Sequence, residues 1–382
     1  MPTIVLSGVN LVSGGTLKIL QDCAETVRQK LPDWRVVAIV NNADVINTPM
    51  VETICLPEAK KSWLKRIYTE YFGMKKLSKQ LNADIWLSMH DLSPVVSAGS
   101  QFVYCHHPDC FYRFSIKEIY SEPKLLIFSA VYSLFYRINI HANRAVIVQQ
   151  QWLRQEFEKR YGVRNVVVAH PVPETFPLSS PPASPLNTFV YPSLPRGFKN
   201  FELIGEAALL LDREPSWRGE IIWTIDPGES RLTRQLYKSY GASRSIKFVG
   251  LQDRAAMNKL YEKMDCLLFP SRLETWGLPI SETKSLGKPM IVADLPYAHE
   301  TVGSYDKVQF VNSADPRQLA DIMLEKHLNG WSSVSVQADA IPGPFADNWP
   351  ELVDMIVSIH EKRNRSISAG TTIPLQSYKH QQ

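Results

Sequence analysis

Glu274 and Glu282 bracket Gly277 in the stretch Ser271-Arg-Leu-Glu-Thr-Trp-Gly-Leu-Pro-Ile-Ser-Glu282. The apolar run Asp265–Phe269 ahead of them predicts a buried strand, and Pro279 suits the first turn of a helix that stops at Gly287. At the carboxyl ends of strands in a doubly wound sheet, free amides and the positive end of a helix attract phosphate oxygens, so the amides from Gly277 and Leu278 onward suit a diphosphate. Glu274 in the loop can accept hydrogen bonds from sugar hydroxyls, and Glu282 in the helix from a ribose. A bare pair of glutamates at this spacing is more often just a solvated helix face, so the surrounding residues must decide.

A second set of groups lies upstream. Tyr191-Pro-Ser-Leu-Pro-Arg196-Gly-Phe-Lys199-Asn200 closes the first strand of the second half and brings two cations, Arg196 and Lys199, to the same sheet edge; cations there suit a diphosphate leaving group. A solvated surface position is the competing account of Arg196. Gly14 and Gly15 precede a helix and allow a close backbone approach. Two histidine sites end strands of the first half: Ser88-Met-His90-Asp91 and Tyr104-Cys-His106-His107. A histidine simply hydrogen-bonded within its loop is the plain alternative for each. Cys105, His106, His107, Asp109 and Cys110 offer zinc-type donors, but no second pair at metal spacing accompanies them and no metal is expected.

The segment from Val249-Gly-Leu-Gln-Asp253 through Leu260-Tyr261, Asp265–Phe269, Pro270-Ser271, Glu274 to Glu282, Gly287-Lys-Pro289 and His299-Glu300 resembles family 4 retaining glycosyltransferases of the GT-B fold. The resemblance covers most of the second half and parts of the first. It implies that the two-glutamate motif holds a nucleotide-diphosphate sugar, and that Arg196 and Lys199 neutralise the phosphates as the glycosidic bond breaks. Lys199 matches the family position well; Arg196 is shifted, with Pro192-Ser193 where a glycine and arginine usually stand. Gly14-Gly15 corresponds to an N-terminal glycine loop lying against the phosphates from across a cleft. His106 corresponds to a histidine near the transferred sugar, with His107 as the alternative register; His90 and Asp91 remain acceptor-side candidates. Such retention needs no enzyme nucleophile, no metal and no other cofactor. The donor is GDP-mannose, a UDP-hexose or dTDP-rhamnose, with a lean to GDP-mannose, and the acceptor a carbohydrate or polyprenyl-linked oligosaccharide of O-antigen or capsule assembly.

These residues need a scaffold, and the pattern supplies one. At 382 residues the chain exceeds a single core, and two domains are expected. Short β-rich runs at Thr3–Ser7, Val36–Val40, Asp84–Ser88, Gln101–Cys105, Ala145–Gln149 and Val166–Ala169 alternate with amphipathic stretches, which predicts a parallel sheet with crossover helices. The clearest helix spans about Thr16–Lys30 behind the loop Ser13-Gly14-Gly15. A second alternation has strands near Thr188–Tyr191, Glu220–Thr224, Ile246–Val249, Asp265–Phe269, Pro289–Ala293 and Val308–Val311. The expected layout is therefore a two-Rossmann α/β chain: an acceptor-side domain over 1–177, a Pro/Ser-rich linker over 178–187, a nucleotide-sugar domain over 188–345, a helix over 346–363 that crosses back to the first domain, and a disordered polar tail over 364–382.

With 45% hydrophobic and 21% charged residues the composition is that of an ordinary globular protein, and no apolar run approaches the roughly 20 residues of a membrane helix. The net charge of +4 is uneven: residues 1–180 hold 20 Lys+Arg against 15 Asp+Glu, whereas 181–382 hold 22 against 23. Residues 60–81 concentrate seven cations, one anion and several aromatics, which suits either an interfacial contact with the inner membrane face or a basic helix packed into its own domain. Lys124–Phe135 reads as core. Five scattered cysteines and an N-terminus without a secretion signal fit a cytoplasmic setting. A GT-B epimerase or phosphorylase and a non-catalytic nucleotide-sugar-binding protein are the competing classes. A dinucleotide dehydrogenase is disfavoured because no Gly-x-Gly-x-x-Gly follows a strand, and no nucleic-acid partner is assigned.

Overall fold

The computed structural model describes residues 1–12, 14–112, 123–172 and 185–368. Among these the chain divides into two compact units, one taken from Met1–Phe111, Phe128–Val172 and Ile341–Gln382 and the other from Tyr112–Ile127 and Pro173–Ala340. Most of the expected linker and the residues past Ser368 lie outside the described part.

The first unit is built on an eight-stranded sheet of β1 (Thr3–Ser7), β2 (Arg35–Val40), β3 (Val51–Cys55), β4 (Ile85–Ser88), β5 (Ser100–Cys105), β6 (Ala145–Val148), β7 (Val166–Ala169) and β14 (Phe345–Ala346), in the order β14-β7-β6-β5-β4-β1-β2-β3. All its pairings are parallel. Helices cover both faces, so the strands are short and almost wholly apolar, which is why they stand out in the sequence. Alternation along β1 sends Ile4 and Leu6 to one face, against Leu20, Ala24 and Val27 of the helix Gly14–Lys30, and Val5 to the other, with Val37, Ile39 and Trp86. The closing helix Trp349–Ser368 inserts Trp349, Leu352, Val353 and Ile356 into the first of these cores. The chain re-enters this unit at Ile341, ahead of residue 346 where the returning helix was expected, because β14 pairs with β7 before the helix begins.

The second unit holds a six-stranded parallel sheet of β8 (Thr188–Tyr191), β9 (Glu220–Trp223), β10 (Ile246–Phe248), β11 (Cys266–Phe269), β12 (Met290–Ala293) and β13 (Val308–Val311), ordered β10-β9-β8-β11-β12-β13. The chain order reverses between β8 and β11, as it does between β1 and β4 in the first sheet. Each reversal leaves a crevice at the carboxyl edge where two connections diverge to opposite sides.

Three expectations change. The helix begins at Gly14 and not Thr16, so the glycine pair forms its first turn; the first amides of a helix have no intrahelical partners, and glycine is tolerated there. The 60–81 segment is not one helix but the short helices Glu58–Lys61, Trp63–Tyr68 and Met74–Leu81 around a π turn, Thr69–Gly73. The helix Pro123–Arg137 buries Tyr132 and Tyr136 but leaves Val131 and Leu134 outside, so Lys124–Phe135 is only partly core; an apolar composition on every face does not say which face is covered.

Candidate active site

In the second unit the connections leaving β8 and β11 meet at the point where the strand order reverses. Behind β8 comes a short 3-10 turn, Gly197–Lys199, then Asn200 in the left-handed region (φ 62°) at the start of the helix Phe201–Leu211. Asparagine is among the few non-glycine residues that accept this backbone. Its side-chain amide donates to the carbonyls of Pro270 (3.2 Å) and Ser313 (2.8 Å), tying the β8 loop to the loops after β11 and β13. The Arg272 amide returns a bond to the Phe198 carbonyl at 2.7 Å. Held between these ties, the Lys199 ammonium pairs with the Glu274 carboxylate, and both side chains are largely shielded from solvent. The Lys199 Nζ also lies 5.6 Å from the Phe198 ring centre and 5.7 Å from that of Phe269. A cation so placed is pre-oriented, and a carboxylate on it keeps spare lone pairs for hydroxyl groups.

Gly277 caps the helix Leu278–Ser285 with φ 86°, a left-handed backbone that an L side chain enters only with strain. A Cβ there would lie 3.2 Å from the Phe269 ring and 3.3 Å from Ile280. The loop is braced from behind, since the Trp276 indole donates to Ser281 Oγ (2.9 Å), Thr301 Oγ1 to the Trp276 carbonyl (2.5 Å) and Tyr297 to the Ser271 carbonyl (2.7 Å). One turn into the helix, buried Glu282 accepts from Arg254 (3.0 Å) and from the Tyr261 hydroxyl (2.5 Å). Burial and the carboxylate of Glu282 push the Tyr261 hydroxyl well up, so it stays a donor. Arg196 is exposed, donates to the Pro195 carbonyl at 3.3 Å and forms no ion pair among the described residues.

The first unit gathers its candidates at its own reversal point. Gly14 and Gly15 open the helix after β1, His90 and Asp91 follow β4, and His106 and His107 follow β5. Asp91 adopts φ 74° and receives the His106 amide (2.5 Å), the His107 amide (3.0 Å) and the hydroxyls of Tyr136 (2.9 Å) and Tyr132 (3.2 Å). Burial raises its carboxyl, but the neighbouring His107 and His106 and those two amides outweigh it and bring the group down to about 2. The Asp91 carboxylate thus fixes the loop that carries both histidines. His106 is buried, its ring lies 4.7 Å from that of Tyr104 at a tilt of 37°, and its Nε2 hydrogen goes to the Met89 carbonyl at 2.8 Å. Burial lowers its basicity, so the ring is neutral with the proton on Nε2. Nδ1 is then an acceptor, and it has no partner among the described residues. His107 is more open, 3.8 Å from Asp91.

His90 is placed differently. Both its ring nitrogens are engaged, Nδ1 with Ser88 Oγ (3.1 Å) and Nε2 with Glu70 (2.5 Å), and Ser88 in turn donates to the Leu92 carbonyl. Ser88 must therefore accept from Nδ1–H, leaving Nε2 to accept from a protonated Glu70. Burial supports that assignment from both sides, raising the Glu70 carboxyl to about 8 and lowering His90 to about 3. Arg66 donates to the His90 carbonyl at 3.1 Å.

Several participants escape sequence reasoning. Arg254 and Tyr261 around Glu282, Asn200 across the loops, and Glu70, Tyr132 and Tyr136 in the first unit act through partners 20 or more residues away, and nothing local marks those pairings. Asn200 and Tyr261 stand within the stretches Tyr191–Asn200 and Leu260-Tyr261 already singled out, with no role assigned to either.

Comparison with known proteins agrees with this architecture. Residues 185–330 match the family model described as Glycosyl transferases group 1. A D-inositol 3-phosphate glycosyltransferase of Corynebacterium urealyticum is 25% identical over 126 residues, which span 32% of this chain and 30% of that relative's length. The Anabaena protein Alr3699/HepE, solved in complex with UDP and glucose, superposes with a TM-score of 0.59 at 15% identity, covering 97% of this chain and 100% of its own. WaaG, a glycosyltransferase involved in lipopolysaccharide biosynthesis, gives 0.60 at 14% identity, covering 96% and 95%. The fold is the two-Rossmann GT-B fold, and the part that matches the group 1 glycosyl transferase model lies in its second unit.

Proposed function

We propose that the chain is a retaining, family 4-type glycosyltransferase that moves a hexosyl group from a nucleotide-diphosphate sugar to a carbohydrate or polyprenyl-linked oligosaccharide in bacterial envelope polysaccharide synthesis. The observation that carries the reading is the Lys199–Glu274 pair at the reversal point between β8 and β11, three residues before the helix-capping Gly277. A phosphate group there meets a shielded ammonium and a helix N-terminus, and a sugar meets a carboxylate.

In this scheme Lys199 and Arg196 take up the charge that develops on the departing diphosphate. The amides from Gly277 and Leu278 bind its oxygens. Glu274 orients the transferred sugar, and Glu282, held by Arg254 and Tyr261, accepts from the ribose. His106 offers its unpartnered Nδ1 to a sugar hydroxyl, and Asp91 keeps that loop in place while His90 and His107 flank it. Gly14 and Gly15 supply the first-turn amides of the first unit's own helix, its candidate anion-binding groups. The chemistry asks for leaving-group electrostatics and positioning and no protein nucleophile, which these groups provide. The UDP and glucose held by the Anabaena structure support a nucleoside-diphosphate hexose as donor class, with GDP-mannose as our first candidate ahead of a UDP-hexose and dTDP-rhamnose. The involvement of WaaG in lipopolysaccharide biosynthesis supports an envelope acceptor, and a cytoplasmic location with a membrane contact through residues 60–81 fits a lipid-linked one.

Titration calorimetry with GDP, UDP, dTDP, CMP and their sugars tests the proposal, on wild type and Glu282→Gln. The amide keeps an acceptor for Tyr261, so the fold survives where alanine would orphan two donors. Selective binding of one nucleoside diphosphate, weakened by the substitution, is the expected result; binding of none of them overturns the reading. Turnover without any acceptor would instead identify an epimerase or phosphorylase.

A further inference from the structure

The outer surface of residues 60–81 and of the helix Pro123–Arg137 is apolar at positions that stay exposed among the described residues. In the first segment the inward positions Arg66, Glu70, Met74 and Ser78 are buried, while Leu64, Tyr68 and Phe72, each four residues on, are exposed by 80, 67 and 66%. Tyr68 and Phe72 stack on each other at 5.6 Å. On the longer helix, Tyr132 and Tyr136 turn inward to Asp91, and Val131, Leu134 and, just past its end, Ile138 face outward. The two rows adjoin. Trp63, next to Leu64, stacks on Phe135 at 5.3 Å and meets Phe128 and Tyr132 edge-on, yet is itself 40% exposed.

Single exposed apolar residues are ordinary, whereas two aligned rows joined by a half-exposed tryptophan are not. The charge around them has one sign. Lys60, Lys61, Lys65, Lys75, Lys76 and Lys79 are all exposed; Glu58 pairs with Lys61 and Lys65, and the other acid of the segment, Glu70, is buried against His90. Lys60, Lys75, Lys76 and Lys79 form no ion pair among the described residues. A partner with an apolar interior and an anionic rim matches this face, which is the arrangement of an interfacial helix with aromatics at headgroup depth. A second copy of the chain would instead bring the same lysines against themselves.

We propose that Leu64, Tyr68 and Phe72 together with Val131, Leu134 and Ile138 form a docking surface for an anionic lipid bilayer, with the lysines engaging its headgroups. The proposal rests on the membrane contact in the reading above and sharpens it: it adds a second helix, names the side chains that enter the lipid, and requires negative charge.

Flotation of the full chain with phosphatidylcholine vesicles, with and without phosphatidylglycerol, is the test, run beside nucleotide calorimetry so that membrane docking and donor binding succeed or fail separately. Wild type should float with the phosphatidylglycerol vesicles and be released by salt. Leu64→Ser with Leu134→Ser should lose flotation while keeping the wild-type circular dichroism and nucleotide affinity, since both residues are surface positions. Lys75→Glu with Lys76→Glu should weaken binding at least 25-fold, about fivefold per lysine. Absence of wild-type flotation overturns the proposal, as does flotation unchanged in both variants. A wild-type dimer that the leucine variants convert to monomer also overturns it and assigns the face to a second copy.

Discussion

Lys199 and Glu70 are the residues whose chemistry is most sharply set by their surroundings. Replacing Lys199 by alanine removes the ammonium from the leaving-group position and should lower kcat by about 10²- to 10³-fold with a smaller change in KM, checked with whichever donor sugar binds. A change confined to KM would make Lys199 a ground-state contact only. Glu70 gives a pH test that is independent of catalysis. Its folded value is raised from 4.5 to about 8, so the folded state holds more protons and stability falls as pH rises through that window. His90, lowered from 6.5 to about 3, acts in the opposite sense below pH 6.5. Between pH 6.5 and 8 the glutamate acts alone, and wild type should lose on the order of 2 kcal/mol in urea unfolding. Glu70→Gln, which donates to His90 Nε2 as the protonated acid does, should be flat across that interval and close to neutral at pH 6.5. A large loss on this substitution would mean that the pair is ionic. Neither the Glu70–His90 pair nor the Asp91 cluster was legible in the sequence, because hydrogen bonds between residues 15 to 45 positions apart leave no local pattern. The individual histidines were visible only because strand ends at a carboxyl edge are where functional groups collect.

The elements were far more legible than the pairs between them. Strands buried on both faces must be short apolar runs, and stretches at helical spacing separate most of them, so the layout of the two sheets is legible in the sequence. What failed to show is what lacks that double burial. β3, Val51–Cys55, is an edge strand with Glu52 and Cys55 exposed, and β14 is two residues long. The helix Leu278–Ser285 shows how strictly one element depends on its first residue. Gly277→Ala puts a side chain on a backbone at φ 86° and against Phe269 and Ile280, and should cost about 1–3 kcal/mol, measured by urea unfolding. It should also weaken nucleotide binding, because relief of the strain shifts the first-turn amides. Unchanged binding with reduced stability would confine the glycine to a folding role.

At the scale of the whole chain the two units differ in kind. The second draws on the long run Pro173–Ala340 with only Tyr112–Ile127 from elsewhere, whereas the first is interrupted by that whole run: its core needs Ala346, Trp349, Leu352, Val353 and Ile356 from the far end of the sequence. A fragment of residues 185–340 should therefore fold and retain nucleotide binding, whereas 1–172 should show a broad, weakly cooperative melt and bind the dye ANS, as chains with unpacked cores do. Calorimetric melts of the two fragments check this. A cooperative melt from 1–172 would show that β14 and the closing helix are accessories. The interruption also has a consequence on the ribosome. The first unit is begun first and finished last, for the residues that seal its sheet and core emerge only after the whole second unit has been made. At about 5–20 residues per second it waits roughly 10–30 s with an open apolar face, and during that wait the second unit can complete its own folding.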